Sequence, residues 1–254
     1  KVAYDFTPTL CATYTLGFWH NDATRSSESY LRDASGNPVY GNLGSSTPLP
    51  VSIHGRGYTI VPRDFVVHLT QLQHIAHVFA LKSSAGDTFD WELAASLYDY
   101  AKDEVRAPSV AVSGPSMHGA GRISDQSGTG WNTFAARTTW RPNGLEGAHL
   151  IEAGYQRDAY DLRTRVYDTA DWIDGGSGAR ASRFDGTTEL HAIYLQDTWR
   201  LAERWRTTLG ARAERWRAFD GGLASGATTQ SFGERSETYV SPKAALAYQW
   251  SDDL

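Results

Sequence analysis

The clearest pattern in the sequence is strict alternation of apolar and polar residues. Between residues 89 and 97, one face would carry Phe89, Trp91, Leu93, Ala95 and Leu97, and the intervening residues are mostly polar or small. Successive side chains of a strand point to opposite faces, so this pattern predicts a strand with one apolar face. Similar segments predict about nine strands in all. They cover residues 1–7, 10–18, 71–82, 89–97, 133–141, 149–158, 189–199, 205–214 and 243–250.

The connections between these segments alternate between short and long. Short links fall at 7–9, 84–87, 142–144 and 201–204, and long links rich in Gly, Ser, Asp and Arg cover roughly 21–67, 102–130, 168–187 and 218–236. Tight turns at one end and long loops at the other are typical of outer-membrane barrels. The sequence therefore predicts an all-β fold, an antiparallel meander that forms part of a transmembrane β-barrel.

Tryptophan positions agree with this interpretation. Those beside short turns or the chain end are Trp91, Trp140, Trp199, Trp205 and Trp250, and those beside long links are Trp19, Trp131 and Trp216. Aromatic girdles are expected at both membrane interfaces. The alternative is a soluble antiparallel sandwich, but its loops would not alternate so regularly between short and long, and its strands would be shorter.

Composition narrows the class further. Hydrophobic residues make up 41% of the chain and charged residues 21%, yet no segment approaches the ~20 apolar residues of a membrane-spanning helix. A net charge of −5 gives no basic surface for nucleic acid. The single cysteine, Cys11, predicts neither a disulfide nor a zinc site. Because the chain begins at Lys1 without a signal segment, we expect it to be a section of a longer protein.

Two segments carry a family resemblance. The stretch YLQDTWRLAERWRTTLGARAERW at 194–216 resembles the strand, short turn and strand of TonB-dependent receptors, and YVSPKAALAYQWSDDL at 239–254 resembles their next strand. WELAASLYDY at 91–100 and the Asp-Trp-Ile-Asp-Gly-Gly segment at 171–176 are weaker matches. The sharp motifs occupy only the last quarter of the chain.

The resemblance implies active import across the outer membrane of a Gram-negative bacterium. Such receptors have a 22-stranded barrel filled by an N-terminal plug domain. Residues 1–254 would then be a central section of the barrel, with no plug in this chain. The implied ligand is a scarce nutrient, most commonly a ferric siderophore. The implied partners are the TonB complex, acting through the missing N-terminal part, and outer-membrane lipid and lipopolysaccharide. A passive porin and an outer-membrane barrel enzyme remain as alternatives.

Ligand-contact candidates are lumen-facing or loop residues near the extracellular end. They are Tyr98, Tyr100, Arg157, Arg163, Trp172, Trp216 and Arg217. Aromatic rings and guanidinium groups could stack on and pair with an anionic iron chelate. The alternative is that the aromatic residues belong to the girdle and the arginines bind lipopolysaccharide phosphates.

No catalytic residue, cofactor or metal site is predicted, and the protein is not expected to be an enzyme. Ser116, His118 and Asp125 lie close in sequence, but no Gly-x-Ser-x-Gly elbow surrounds the serine. His74 and His77 are three residues apart on a predicted strand, so they should point to opposite faces.

Overall fold

The computed structural model describes residues 1–40, 48–61 and 64–251 as an all-β chain. Its strands are β1 (Val2–Thr7), β2 (Leu10–Ser26), β3 (Leu49–Ile53), β4 (Arg56–Ile60), β5 (Val67–Ser84), β6 (Phe89–Pro108), β7 (Gly121–Asp125), β8 (Gly130–Trp140), β9 (His149–Thr169), β10 (Arg180–Ala202), β11 (Trp205–Ser225), β12 (Thr228–Ser231) and β13 (Arg235–Tyr248). No helix that could span a membrane occurs among the described residues.

One antiparallel sheet contains eleven of these strands, arranged in chain order. Strands β7 and β8 share the place between β6 and β9, and β12 and β13 both pair with β11, so the sheet has nine positions. Strands β3 and β4 form a separate hairpin within the link that follows β2. The predicted meander of about nine strands is confirmed.

Each of the nine predicted strands is present, but most are longer than predicted. Strand β6 continues to Pro108 and β11 to Ser225, and β7 and β12 lie inside segments that were expected to be loops. The prediction of long loops over 102–130 and 218–236 is therefore wrong in part. Apolar alternation is required only where one face of a strand meets lipid, and beyond that zone a strand with two polar faces lacks the pattern.

The pairing register separates the sheet into two faces. Leu81, Leu93 and Ala136 are consecutive partners on β5, β6 and β8, while their neighbours Lys82, Glu92 and Arg137 form the equivalent row on the other side. We call these the apolar face and the polar face. His77 pairs with Leu97 and lies on the apolar face, whereas His74 lies on the polar face, as predicted.

The apolar zone crosses the sheet diagonally. The apolar zone ends at Phe18 on β2 and at Ala213 on β11. The pairing row of Ala213 crosses β2 at Ala12, which is nearer the short-turn end than Phe18. The boundary thus moves by about one residue per strand, which for a rise of ~3.3 Å per residue and a strand spacing of ~4.8 Å corresponds to a tilt of about 35°. Strands of outer-membrane barrels tilt by roughly 35–45°.

An aromatic girdle is present at the short-turn end of the apolar face. Trp140 pairs with Phe89 across β8 and β6, and the rings of Trp205 and Tyr248 are 4.6 Å apart. The matching prediction for the long-loop end is wrong. Trp19, Trp131 and Trp216 lie on the polar face, because Trp19 is in the row of His74, Trp131 pairs with Tyr98, and Trp216 pairs with Leu190.

The polar face carries cross-strand ion pairs near the short-turn end. Arg141 Nη1 lies 2.7 Å from Asp90 Oδ2, and Arg137 Nη2 lies 2.6 Å from Glu92 Oε2. This face is suited to a wet lumen.

Candidate functional site

Six side chains form an aromatic cluster on the polar face, where the strands leave the apolar zone toward the long loops. The members are Trp19, His74, Tyr98, Tyr100, Trp131 and Tyr160. They come from β2, β5, β6, β8 and β9, which are successive neighbours in the sheet. Because cross-strand neighbours on one face approach within about 5 Å, rings at these positions pack side by side.

The centre of the aromatic cluster is tightly ordered by stacking and hydrogen bonds. The rings of Tyr98 and Trp131 are 4.2 Å apart with an interplanar angle of 3°, and those of His74 and Tyr100 are 3.9 Å apart at 9°. His74 is 8% exposed. Its Nδ1 lies 3.1 Å from the Tyr98 hydroxyl and its Nε2 lies 3.0 Å from Asp103 Oδ2.

A β-bulge in β6 brings Asp103 to this site. Tyr100 pairs with His74 but Lys102 pairs with Gln73, so Ala101 is an extra residue without a partner on β5. A bulge reverses which residues face each side of the sheet beyond it. Asp103 therefore points to the polar face, beside His74, and Lys102 is turned to the other face, where its Nζ donates to Gln71 Oε1 at 2.5 Å.

The outer members of the aromatic cluster leave ring surface accessible. Trp19 is 46% exposed and Tyr160 is 38% exposed. Farther toward the long loops, an open cleft of about 560 Å³ is lined by Val105, Pro108 and Val166, with Arg122 at its wall. Accessible rings beside an apolar cleft with a few polar groups are typical of a small-molecule binding site. The arrangement can stack on planar groups and accept an anionic ligand at Arg122.

The seven predicted contact residues do not all come together. Tyr98 and Tyr100 belong to the aromatic cluster. Trp216 lies on the polar face of β11, with Arg235 5.8 Å above its ring centre. Arg157 pairs with His191, and Arg217 pairs with Glu189. Both partners lie on the apolar face.

The expectation that Arg157 and Arg217 face the lumen is therefore corrected. Arg163 has the same facing as Arg157, because they are six residues apart on β9. Trp172 is completely buried, and its indole nitrogen donates to the Met117 carbonyl at 2.9 Å. It packs with Tyr40, Val67 and Val112 and holds loops together, so no ligand reaches it while that packing persists.

Sequence reasoning missed most of the aromatic cluster. The sequence predicts Trp19 and Trp131 as girdle residues, and it does not single out Tyr160. His74 is predicted only to point away from His77. Extending the alternation of β6 by two residues, from Ser96 to Tyr98, would have placed Tyr98 on the polar face. Asp103 could not be found in this way, because the bulge at Ala101 breaks the alternation.

A second polar group joins two long-loop segments. His118 Nδ1 is hydrogen-bonded to Asp171 Oδ2 and lies 4.0 Å from Asp174 Oδ1. This hydrogen bond raises the pKa of His118, and it lowers the pKa of Asp171 to about 2. The potential metal-binding atoms of His118, Asp171 and Asp174 all lie within 4.8 Å of one another. His118 and Asp174 are largely exposed, and the geometry is that of an ion pair between loops.

Two of the three residues Ser116, His118 and Asp125 have hydrogen-bond partners outside that set. His118 is paired with Asp171, and Asp125 Oδ1 accepts a hydrogen bond from the backbone of Ser127 at 2.8 Å.

Comparison with known families identifies the sheet. The family model described as TonB dependent receptor-like, beta-barrel, matches residues 8–254. The chain belongs to this family of TonB-dependent receptor barrels. In outer-membrane barrels one face of the wall lines the lumen, the other meets lipid and the long loops are extracellular, and we assign the polar face, the apolar face and the long loops of this chain accordingly.

A solved structure has a similar fold. The structure of FpvA from P. aeruginosa, determined as a complex with iron and a heterologous pyoverdine, aligns over 98% of this chain with a TM-score of 0.58 and 14% identity. The aligned region is 32% of the FpvA chain, so the present sequence spans about a third of that structure. No curated protein matches the sequence.

Proposed function

We propose that the intact receptor containing this chain imports a ferric siderophore across the outer membrane, energised by the TonB system. The observation that carries the proposal is the aromatic cluster on the lumenal wall, at the extracellular end of the membrane-spanning zone. Family membership supports a receptor that transports a nutrient, and the complex of FpvA with iron-loaded pyoverdine supports the class of ligand.

The chemistry of the aromatic cluster suits a bulky iron chelate. The accessible rings of Trp131 and Tyr160 offer flat apolar surface for the organic part of the chelate. Arg122 Nε is 3.3 Å from Asp168 and half-exposed, so its guanidinium can also reach an anionic ligand. A few polar groups around apolar and aromatic surface are the usual composition of such sites.

A passive porin is the second candidate for a lumen with a charged wall. It would need no aromatic platform and no energy input. Uptake of radiolabelled iron chelate by cells carrying the intact receptor should stop when TonB is deleted or a protonophore is added. Uptake that continues at the same rate without TonB would favour the porin.

The ligand is tested by titrating the intact receptor with ferric siderophores, cobalamin and oligosaccharides. We expect saturable binding of a ferric siderophore and, for Trp131→Ala, a dissociation constant about fivefold higher, since an aromatic anchor that a ligand covers contributes about 1 kcal/mol or more. Trp140→Ala is the matched control, because Trp140 is on the same strand but on the lipid-facing side. Saturable binding only to cobalamin or an oligosaccharide would contradict the siderophore assignment.

A further inference from the structure

A group of basic side chains lies on the lipid-facing side of the barrel wall. Arg157, His191 and Arg215 are consecutive partners in one pairing row across β9, β10 and β11. Arg217 lies in the next row toward the extracellular side, beside Glu189. We call Arg157, His191, Arg215 and Arg217 the basic cluster.

The basic cluster is located at the upper boundary of the apolar zone. The adjacent row toward the periplasmic end consists of Tyr155, Ile193, Ala213 and Val240. Ile193 is on a strand with neighbours on both sides and is still 61% exposed, which is the exposure expected of a side chain covered by lipid rather than by protein. The basic cluster therefore lies at the depth where hydrocarbon gives way to headgroups.

The protein neutralises only part of this charge. Glu189 accepts hydrogen bonds from Arg157 and lies 3.3 Å from His191, and Arg217 is paired with Glu234 at 2.9 Å. Arg215 is exposed and makes no hydrogen bond or ion pair with the described residues. An arginine beside the hydrocarbon is costly unless its guanidinium reaches an anionic group at the interface.

We propose that the basic cluster binds a phosphate group of lipopolysaccharide in the outer leaflet, with Arg215 as its principal contact. A phosphorylated lipid satisfies both parts of the surface, because its phosphate can pair bidentately with guanidinium groups while its acyl chains cover Ile193 and Val240. A soluble anion would satisfy only the first part. The proposal rests on the membrane orientation of the barrel and not on the transported ligand.

The test uses the intact receptor in neutral detergent, with lipid binding measured by native mass spectrometry. The probes are bis-phosphorylated lipid A and dephosphorylated lipid A. The variants are Arg215→Gln, the double variant R215Q/R217Q, and Arg206→Gln as the control, since Arg206 is an exposed arginine at the periplasmic end of the same strand.

We expect the wild type to prefer the bis-phosphorylated lipid. Arg215→Gln should weaken that binding about fivefold, and the double variant more strongly, because a basic residue at an anionic surface contributes about 1 kcal/mol. Arg206→Gln should bind as the wild type does.

Three results would overturn the proposal. The first is equal binding of the two lipids by the wild type, and the second is an equal loss in Arg206→Gln. The third is complete displacement of lipid A by the same concentration of inorganic phosphate, which would show that the acyl chains contribute nothing.

Discussion

The ring of Tyr98 lies flat against that of Trp131, with centroids 4.2 Å apart and planes within 3° of parallel. The two residues are directly paired across β6 and β8, and both project into the lumen. The pairing register of β6 and β8 therefore places this stack in the surface that we propose for ligand binding.

The first prediction concerns the energy of this stack. In a double-mutant cycle with Tyr98→Ala and Trp131→Ala, we expect a coupling of about 0.5–1.5 kcal/mol in the free energy of unfolding, as found for stacked aromatic pairs. Bilayer refolding titrations of the intact receptor measure it. Tyr98 and Trp216, which are separated by three intervening strands, should be additive. Additivity within the Tyr98–Trp131 pair itself would show that the stack contributes no energy.

The second prediction concerns the close approach of β8 to β6 at Gly130. A Cβ atom at this position would lie 2.4 Å from the Tyr98 carbonyl oxygen, so the strands would have to separate. Gly130→Ala should cost about 1–3 kcal/mol in the free energy of unfolding, as overpacking usually does. Gly233→Ala is the control, because no atom lies within 4 Å of its added Cβ. Equal costs for the two variants would refute this explanation for the glycine.

The third prediction concerns the pH dependence of the extracellular loops. The pKa of His118 is raised by Asp171, so its contribution to loop order is complete below its ordinary value of 6.5 and is lost as the pH rises through the raised value. The pKa of Asp171 is lowered to about 2, so its contribution is present above 3.8 and is lost toward about pH 2. The ion pair should hold the loops best between about pH 4 and 6.5.

Hydrogen exchange, corrected for its intrinsic pH dependence, measures this effect in segments 109–120 and 170–179. Protection should be greater at pH 6 than at pH 8.5 in the wild type, and His118→Gln should remove the difference. A pH difference that persists in His118→Gln would assign it to another group.

The fourth prediction concerns Trp172 as the anchor of the loops. Its side chain is completely buried among Tyr40, Val67 and Val112. Trp172→Ala should lower the local stability of the loops by about 3–5 kcal/mol, as loss of a buried Trp does. Limited proteolysis should then cut within 109–120 faster than in the wild type, with the barrel strands still resistant. Unchanged cleavage would mean that other contacts hold the loops.

The barrel wall could be predicted from the sequence because lipid and water impose a strict period of two on each strand. Phe89 to Leu97 obey it without exception, and the short turns mark where each strand ends. The extracellular halves of β6 and β11 could not be predicted, since apolar and polar residues no longer alternate regularly there. The facing of Arg157 and Arg217 was predicted incorrectly for a related reason. Charged residues above the apolar zone can occur on either face, so polarity no longer indicates the lumen.

The aromatic cluster was predicted only through Tyr98 and Tyr100. Trp19 and Trp131 occur where a girdle residue is also expected, and only the pairing register distinguishes the two faces. Asp103 reaches His74 because one extra residue, Ala101, interrupts the ladder. Sequence alternation gives no signal for such a bulge.

The central claim is that the apolar face of this sheet meets lipid and the polar face lines the lumen. Leu93 is paired with Leu81 and Ala136 on the apolar face, and its neighbour Ala94 is paired with Ala80 and Ala135 on the polar face. The most direct measurement is a bilayer refolding titration of the intact receptor with Leu93→Arg and Ala94→Arg. We predict a loss of about 2–4 kcal/mol for Leu93→Arg and a much smaller loss for Ala94→Arg. Equal losses, or a larger loss for Ala94→Arg, would contradict the assignment of the two faces.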